Sequence, residues 1–187
     1  MAHGGNVIQE LTADHREVDA LFAQIEALPT ADPQRRALAD RLTMELVRHS
    51  VAEEEYLYPT VRRYVDDGDD LADEEIAEHA EVERMLKELE GCRPGDGRFD
   101  GLITELKSSV TAHVSGEENR LFPMLAEVCS GTALEDLGEK VRAAKKKAPT
   151  RPHPSAPDTP PADKLLAPGT GMVDRLRDML SGRGGQG

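Results

Sequence analysis

Apolar residues at Ile8, Leu11, Val18, Phe22 and Ile25 recur at helical spacing, so the pattern predicts a first helix that Asn6 caps and Pro29 ends. A second opens at Asp32-Pro33, an N-cap followed by proline at the first helical position, and carries Leu38, Leu42 and Leu46 to about Val65. The turn after it is Asp66-Asp67-Gly68-Asp69-Asp70. Ile76, Val82, Leu86 and Leu89 mark a third helix from about Asp73 to Glu90, stopped by Gly91 and Pro94. After Gly95-Asp96-Gly97 a fourth carries Leu102, Leu106, Val110, Leu121 and Leu125 and ends near Gly131. A short basic helix, Ala133 to about Lys147, follows. One apolar stripe on each of four helices joined by short turns predicts an all-α, antiparallel up-down four-helix bundle with a short fifth helix. Residues 1–147 form this domain, with its core in 6–130, and residues 148–187 read as a Pro-rich tail with a short amphipathic helix at about 172–180.

The stripes are interrupted by ionisable residues, and the interruptions repeat. Adding 64 to a position in the first half maps His15 to His79, His49 to His113, Glu53 to Glu117, Glu54 to Glu118, Leu57 to Leu121 and Pro59 to Pro123. Glu17 and Val18 map to Glu81 and Val82 by the same offset, so the chain reads as a duplicated helical hairpin, residues 6–65 and 70–129. In an antiparallel hairpin, residues equidistant from the turn share one level along the axis. His15 and His49 are centred on the Asp32-Pro33 turn, His79 and His113 on Gly95-Asp96-Gly97, and Glu53 and His79 on the start of the Asp66–Asp70 turn. The four histidines therefore lie at one depth, in slots the stripe would otherwise fill with apolar residues.

Residues four apart share a helix face, so His49/Glu53, His79/Glu83 and His113/Glu117 each present an imidazole with a carboxylate. The first helix offers His15, with Asp19 as a further carboxylate. Burying this set in one layer costs far more than its mutual hydrogen bonds return unless a cation neutralises it. Mixed N/O donors in a bundle core suit iron, manganese or zinc, and seven or eight of them are too many for one ion. Two ions bridged by Glu53 and Glu117 satisfy the count.

The segment HSVAEEEYLYP (49–59), echoed by HVSGEENRLFP (113–123) and joined to His15 and His79, resembles the hemerythrin HHE cation-binding family over residues 6–130. That resemblance implies two non-haem iron ions with an oxo or hydroxo bridge and an open position for O2 or a similar small ligand. It carries the metal-ligand role to His15, His49, Glu53, His79, His113 and Glu117. Oxygen-carrying hemerythrins place a second histidine four residues after the first on the third helix, where this chain has Glu83. An added carboxylate favours the ferric state and draws the site toward the ferritin-like di-iron carboxylate proteins. The function expected is binding of O2 or a related ligand for oxygen or redox sensing, storage or handling. The alternatives are a di-iron oxidoreductase consuming peroxide or NO, and an iron-responsive interaction module whose tail meets a protein partner.

Composition narrows the partners. A net charge of −13, from 36 acidic and 23 basic residues, repels phosphate backbones and anionic lipid, so nucleic acid is excluded as the main partner. No apolar run approaches the roughly 20 residues of a membrane span and the N-terminus lacks a secretory h-region, giving a cytoplasmic expectation for what is read as a monomer. Cys92 and Cys129 are expected as unpaired thiols near opposite ends of antiparallel helices. Tyr56 shares the face of Glu53 and is expected in the core within reach of the metals, Glu54 and Glu118 at the surface or behind the ligands. Pro59 and Pro123 predict kinks, and Lys145-Lys146-Lys147 a solvated helix end.

Overall fold

The computed structural model describes residues 5–152; the amphipathic segment expected at 172–180 and most of the tail lie outside them. Helix α1 spans Val7–Ala27, and Asn6 and Gln9 close its first turn with a reciprocal capping box. Helix α2 is Gln34–Ala52; Asp32 Oδ1 accepts from the Gln34 N–H at 2.8 Å, one residue ahead of the Pro33 cap. A five-residue π turn, Glu53–Leu57, continues it into α3, Tyr58–Tyr64. Helices α4, Gly68–Glu90, and α5, Gly97–Gly116, follow, and a second π turn, Glu117–Leu121, leads into α6, Phe122–Val128. Helix α7, Gly131–Lys145, is the last helix among the described residues. The long helices pack as antiparallel neighbours, α1 on α2, α3 on α4 and α4 on α5, and α7 lies across α1, α2 and the first π turn.

Helix α4 begins five residues before its expected start. Asp67 adopts a left-handed φ of 57°, which turns the chain sharply and lets the helix open at Gly68. There a methyl group would run into the Val61 carbonyl, so only glycine lets α4 lie this close to α3.

The expected kinks take a definite form. Proline at 59 cannot donate to the carbonyl four residues back and its ring crowds that carbonyl. The helix answers by widening one turn, so that the Tyr58 N–H bonds Glu53 O, five residues back, and Phe122 bonds Glu117 O in the same way. The two π turns obey the 64-residue offset.

Two apolar clusters form the core. One contains Val18, Phe22, Leu42, Leu46, Val82, Leu86, Leu106 and Val110. The other contains Leu11, Leu57, Tyr58, Val61, Leu121, Phe122 and Leu125 with Leu134, Leu137 and Val141 of α7. Between them lies one buried layer of histidines and glutamates. Cys92 and Cys129 are both free thiols.

Candidate metal centre

Each hairpin delivers the same set to this layer. Helix α1 supplies His15, α2 His49, the first π turn Glu53, α4 His79, α5 His113 and the second π turn Glu117, all buried. Potential ligand atoms of His15, His49, Glu53 and Glu117 lie within 4.8 Å of one another, as do those of Glu53, His79 and His113. Glu53 thus belongs to both groups, and Glu117 joins the first to a third made with His113 and Glu75.

The outer nitrogens are held by carboxylates. His15 Nδ1 donates to Glu118 at 2.8 Å and His79 Nδ1 to Glu54 at 2.9 Å, so each hairpin's carboxylate holds the other hairpin's imidazole. His49 Nδ1 donates to Asp14 at 3.4 Å and His113 Nδ1 to Glu78 at 3.0 Å. Fixing Nδ1 in this way aims Nε2 into the layer, as imidazole ligands of metals are commonly aimed. Of the two positions expected for Glu54 and Glu118, at the surface or behind the ligands, they occupy the second.

The inner atoms lack such partners. His49 Nε2 is 3.0 Å from Glu53 Oε2 and His15 Nε2 is 3.3 Å from Glu117 Oε2, yet neither pair has hydrogen-bond geometry. Both Glu53 oxygens, Glu117 Oε2 and the Nε2 atoms of His15 and His49 are buried without a hydrogen bond. Buried polar atoms are seldom left so; lone pairs converging from α1, α2 and the two π turns fit a metal ion, and the His/Glu set is the donor chemistry one requires. The electrostatics of the bare side chains agree. Burial alone would lower the pKa of His49 and His79, but Glu53 with Asp14, and Glu53 with Glu54, push them up to about 10. Glu75 and Glu78 do the same for His113 against its burial. Burial raises Glu53, and the imidazoles of His49 and His79 overcome this and hold it well below the usual carboxylate range. Protons thus substitute for cationic charge in a layer built around it.

Three expectations meet a different arrangement. Glu83 is half-buried and belongs to none of the converging groups among the described residues, whereas Glu75, two turns earlier on α4 and one turn before His79, does. Glu75 lies 2.8 Å from His113 Nδ1 beside Glu78, and its Oε2 makes no hydrogen bond. Asp19 is exposed, 3.8 Å from Arg16 and outside the layer. Tyr56 is half-buried, and Tyr58 takes the inward place expected for it. The π turn is the reason: with one extra residue in the turn, the side chain five after Glu53, not three after it, returns to the same face. Tyr58 Oη is 3.2 Å from His79 Nε2 and donates to Glu117 Oε1 at 3.4 Å. Phe122, its counterpart at the 64-residue offset, stacks on His15 with ring centroids 5.9 Å apart.

A small cavity opens on the other side of the layer, lined by His15, His49, His79 and His113 with Val18, Leu46, Val82 and Val110. It has room for a molecule of one or two heavy atoms beyond hydrogen.

The chain matches the Hemerythrin HHE cation binding domain over residues 6–125. It is 30% identical over 168 residues to an uncharacterised hemerythrin-like protein of Schizosaccharomyces pombe, covering 89% of this chain and 82% of that one. It is also 30% identical over 147 residues to a DNA nickase of Nostoc, covering 78% of this chain but only 41% of the nickase. The crystal structure of a hemerythrin HHE cation binding domain-containing protein from Mycobacterium kansasii superposes with a TM-score of 0.67 at 27% identity, covering 91% of this chain and 98% of that one. A family match over most of the chain, a relative of nearly its own length and a buried histidine–glutamate layer agree: the chain belongs to the hemerythrin HHE cation-binding domain family.

Proposed function

We propose that the protein holds two iron ions in this layer and binds O2 or a related small ligand beside them. His15 and His49 would serve one ion, His79 and His113 the other, with Glu53 and Glu117 shared between them. Glu75, which converges with His113 and Glu117, is better placed than Glu83 to serve the second ion. When bound, such a pair supplies an electron-rich position at which dioxygen or peroxide can be held and reduced.

The observation that carries the ligand class is the cavity. Its walls beyond the histidines are four valines and a leucine with Ser50 as the one hydroxyl residue, so a hydrated or charged substrate would lose most of its water there without compensation. A small, nearly apolar molecule would not. The side chains around the layer hold the imidazoles in one orientation, exclude water and leave the cavity side open.

A second reading, peroxide consumption, rests on Tyr58. Its hydroxyl reaches both His79 and Glu117, and burial, reinforced by Glu53, Glu117 and Glu75, keeps it protonated far above neutral pH. A buried phenol at the layer can lend a proton to an oxygen ligand, which simple carriage does not need.

The test is metal content with the visible spectrum of protein purified in air, then reduced anaerobically and re-exposed to O2. Two irons per chain with bands that appear and vanish reversibly would establish O2 binding. Two irons that stay ferric while peroxide is consumed would establish the second reading, and a single zinc or no metal would overturn both.

A further inference from the structure

Behind the imidazoles the two hairpins part company. Asp14 and Glu78 are equivalent at the 64-residue offset and hold equivalent rings, His49 and His113. Behind Asp14 stands Lys145 of α7, the side chain of which is 9% exposed; its Nζ donates to both Asp14 oxygens at 2.6 Å and to Glu10 at 2.9 Å. Glu10 is completely buried, and Arg142 of α7 lies 3.6 Å from it. Glu118, behind His15, meets Arg16 at 2.5 Å, but that arginine is 56% exposed, where an ion pair contributes little. Glu54 and Glu78, behind His79 and His113, have no Lys or Arg nitrogen within 4 Å among the described residues. One buried ammonium, from a helix outside the duplication, therefore serves one imidazole of four.

We propose that Lys145 is a positioning residue of the metal centre: it pins Asp14 against His49 and makes the His15–His49 half unlike the His79–His113 half. This rests on the reading that each half holds a metal ion. Without the ammonium, Asp14 loses the cation that holds both its oxygens beside the carboxylate of Glu10, which keeps Arg142 at 3.6 Å. Asp14 then holds His49 less firmly, and the ring loses part of the contact that aims its Nε2. The ammonium also cancels an anion behind His49 that remains uncompensated behind His79 and His113, so His49 donates less electron density than they do. The two positions accordingly differ in affinity, the His15–His49 position depending on α7 and the other not.

The test uses the full chain with Lys145→Met and, as the conservative control, Lys145→Arg. Cobalt(II) is titrated into metal-free protein against a competing chelator. Loss of Lys145 is expected to weaken one of two binding steps by about ten- to a hundredfold and the other by less than about threefold, with arginine restoring the first. Equal weakening of both steps, or of neither, overturns the proposal. In the metal-free protein, ring nitrogen resonances report independently: those of His49 move in Lys145→Met while those of His79 and His113 stay, and an unmoved His49 overturns the proposal. If wild-type protein takes up no cobalt, the two-metal reading fails and the ring resonances alone decide the role of Lys145. Should Lys145→Met not fold, Glu10→Gln/Lys145→Met removes an anion with the cation and is read by the same criteria.

Discussion

Tyrosine at 58 and phenylalanine at 122 occupy equivalent places in the two hairpins, so one hydroxyl is the chemical difference between the faces they present to the layer. Tyr58→Phe makes the faces alike. Because a buried hydroxyl and its partner contribute only about 1 kcal/mol net, the variant should fold with nearly wild-type stability. If the phenol supplies a proton, its peroxide consumption should fall by about a hundredfold while metal content stays the same, measured as initial rates at matched iron loading. An unchanged rate would remove the one observation favouring a peroxide enzyme. The same scale separates the two α4 carboxylates. Glu83→Gln should leave metal content as it is, since Glu83 joins none of the converging groups, whereas Glu75→Gln should lower the affinity of one ion by about tenfold or more, read by chelator competition. The reverse outcome would restore the simple four-residue spacing from His79.

Among elements, the helix that lies outside the duplication meets the start of α1 backbone to backbone at a glycine. Gly138 of α7 faces the start of α1 so closely that a methyl group there would meet Gly5 O at 2.8 Å and Val7 N at 2.9 Å. Gly138→Ala should force the helices apart and cost about 1–3 kcal/mol, a fall of several degrees in thermal midpoint, because both neighbours are backbone and cannot rotate aside. A calorimetric midpoint equal to wild type would mean that α7 is not docked here in solution. What the sequence disclosed about elements, and what it hid, follows from the range of the forces involved. Helix starts and stops are set by adjacent residues, so Asn6, Pro29 and Gly91 were legible, while the cap expected at Asp32 falls one residue later, on Pro33. The 64-residue offset made His15, His49, His79 and His113 legible as one layer, and the same offset relates Asp14 to Glu78 and Tyr58 to Phe122. The inward turn of Tyr58 was hidden because 3.6-residue counting fails across a π turn, although the proline that provokes the turn is plainly visible. Lys145 was hidden for another reason. Within Lys145-Lys146-Lys147 nothing local distinguishes the lysine that α7 buries against α1 from its two exposed neighbours.

At the scale of the whole molecule the governing quantity is the charge enclosed between two apolar clusters. In the metal-free protein, imidazolium groups with pKa values near 10 balance Glu53 and Glu117, and the sign of their effect on stability can be worked out. A histidine raised on folding stabilises fully below its unfolded value of about 6.5, and that contribution is lost as pH rises through its folded value. Metal-free protein should therefore lose stability between about pH 6.5 and pH 10. Metal binding runs the other way. Each ring must give up its Nε2 proton to become a ligand, so uptake releases protons and each proton released makes affinity rise about tenfold per pH unit. The gain in thermal midpoint on metal binding should consequently widen from pH 6 to pH 8, as the metal-free baseline falls and affinity climbs. Calorimetry of metal-free and zinc-loaded protein at fixed free zinc measures both terms, and zinc avoids oxidation during the scan. A gain that stayed level or shrank would mean that the imidazoles with raised pKa values are not the groups a metal displaces protons from. The His49, His79 and His113 layer would then be a self-neutralising polar core with its metal bound elsewhere.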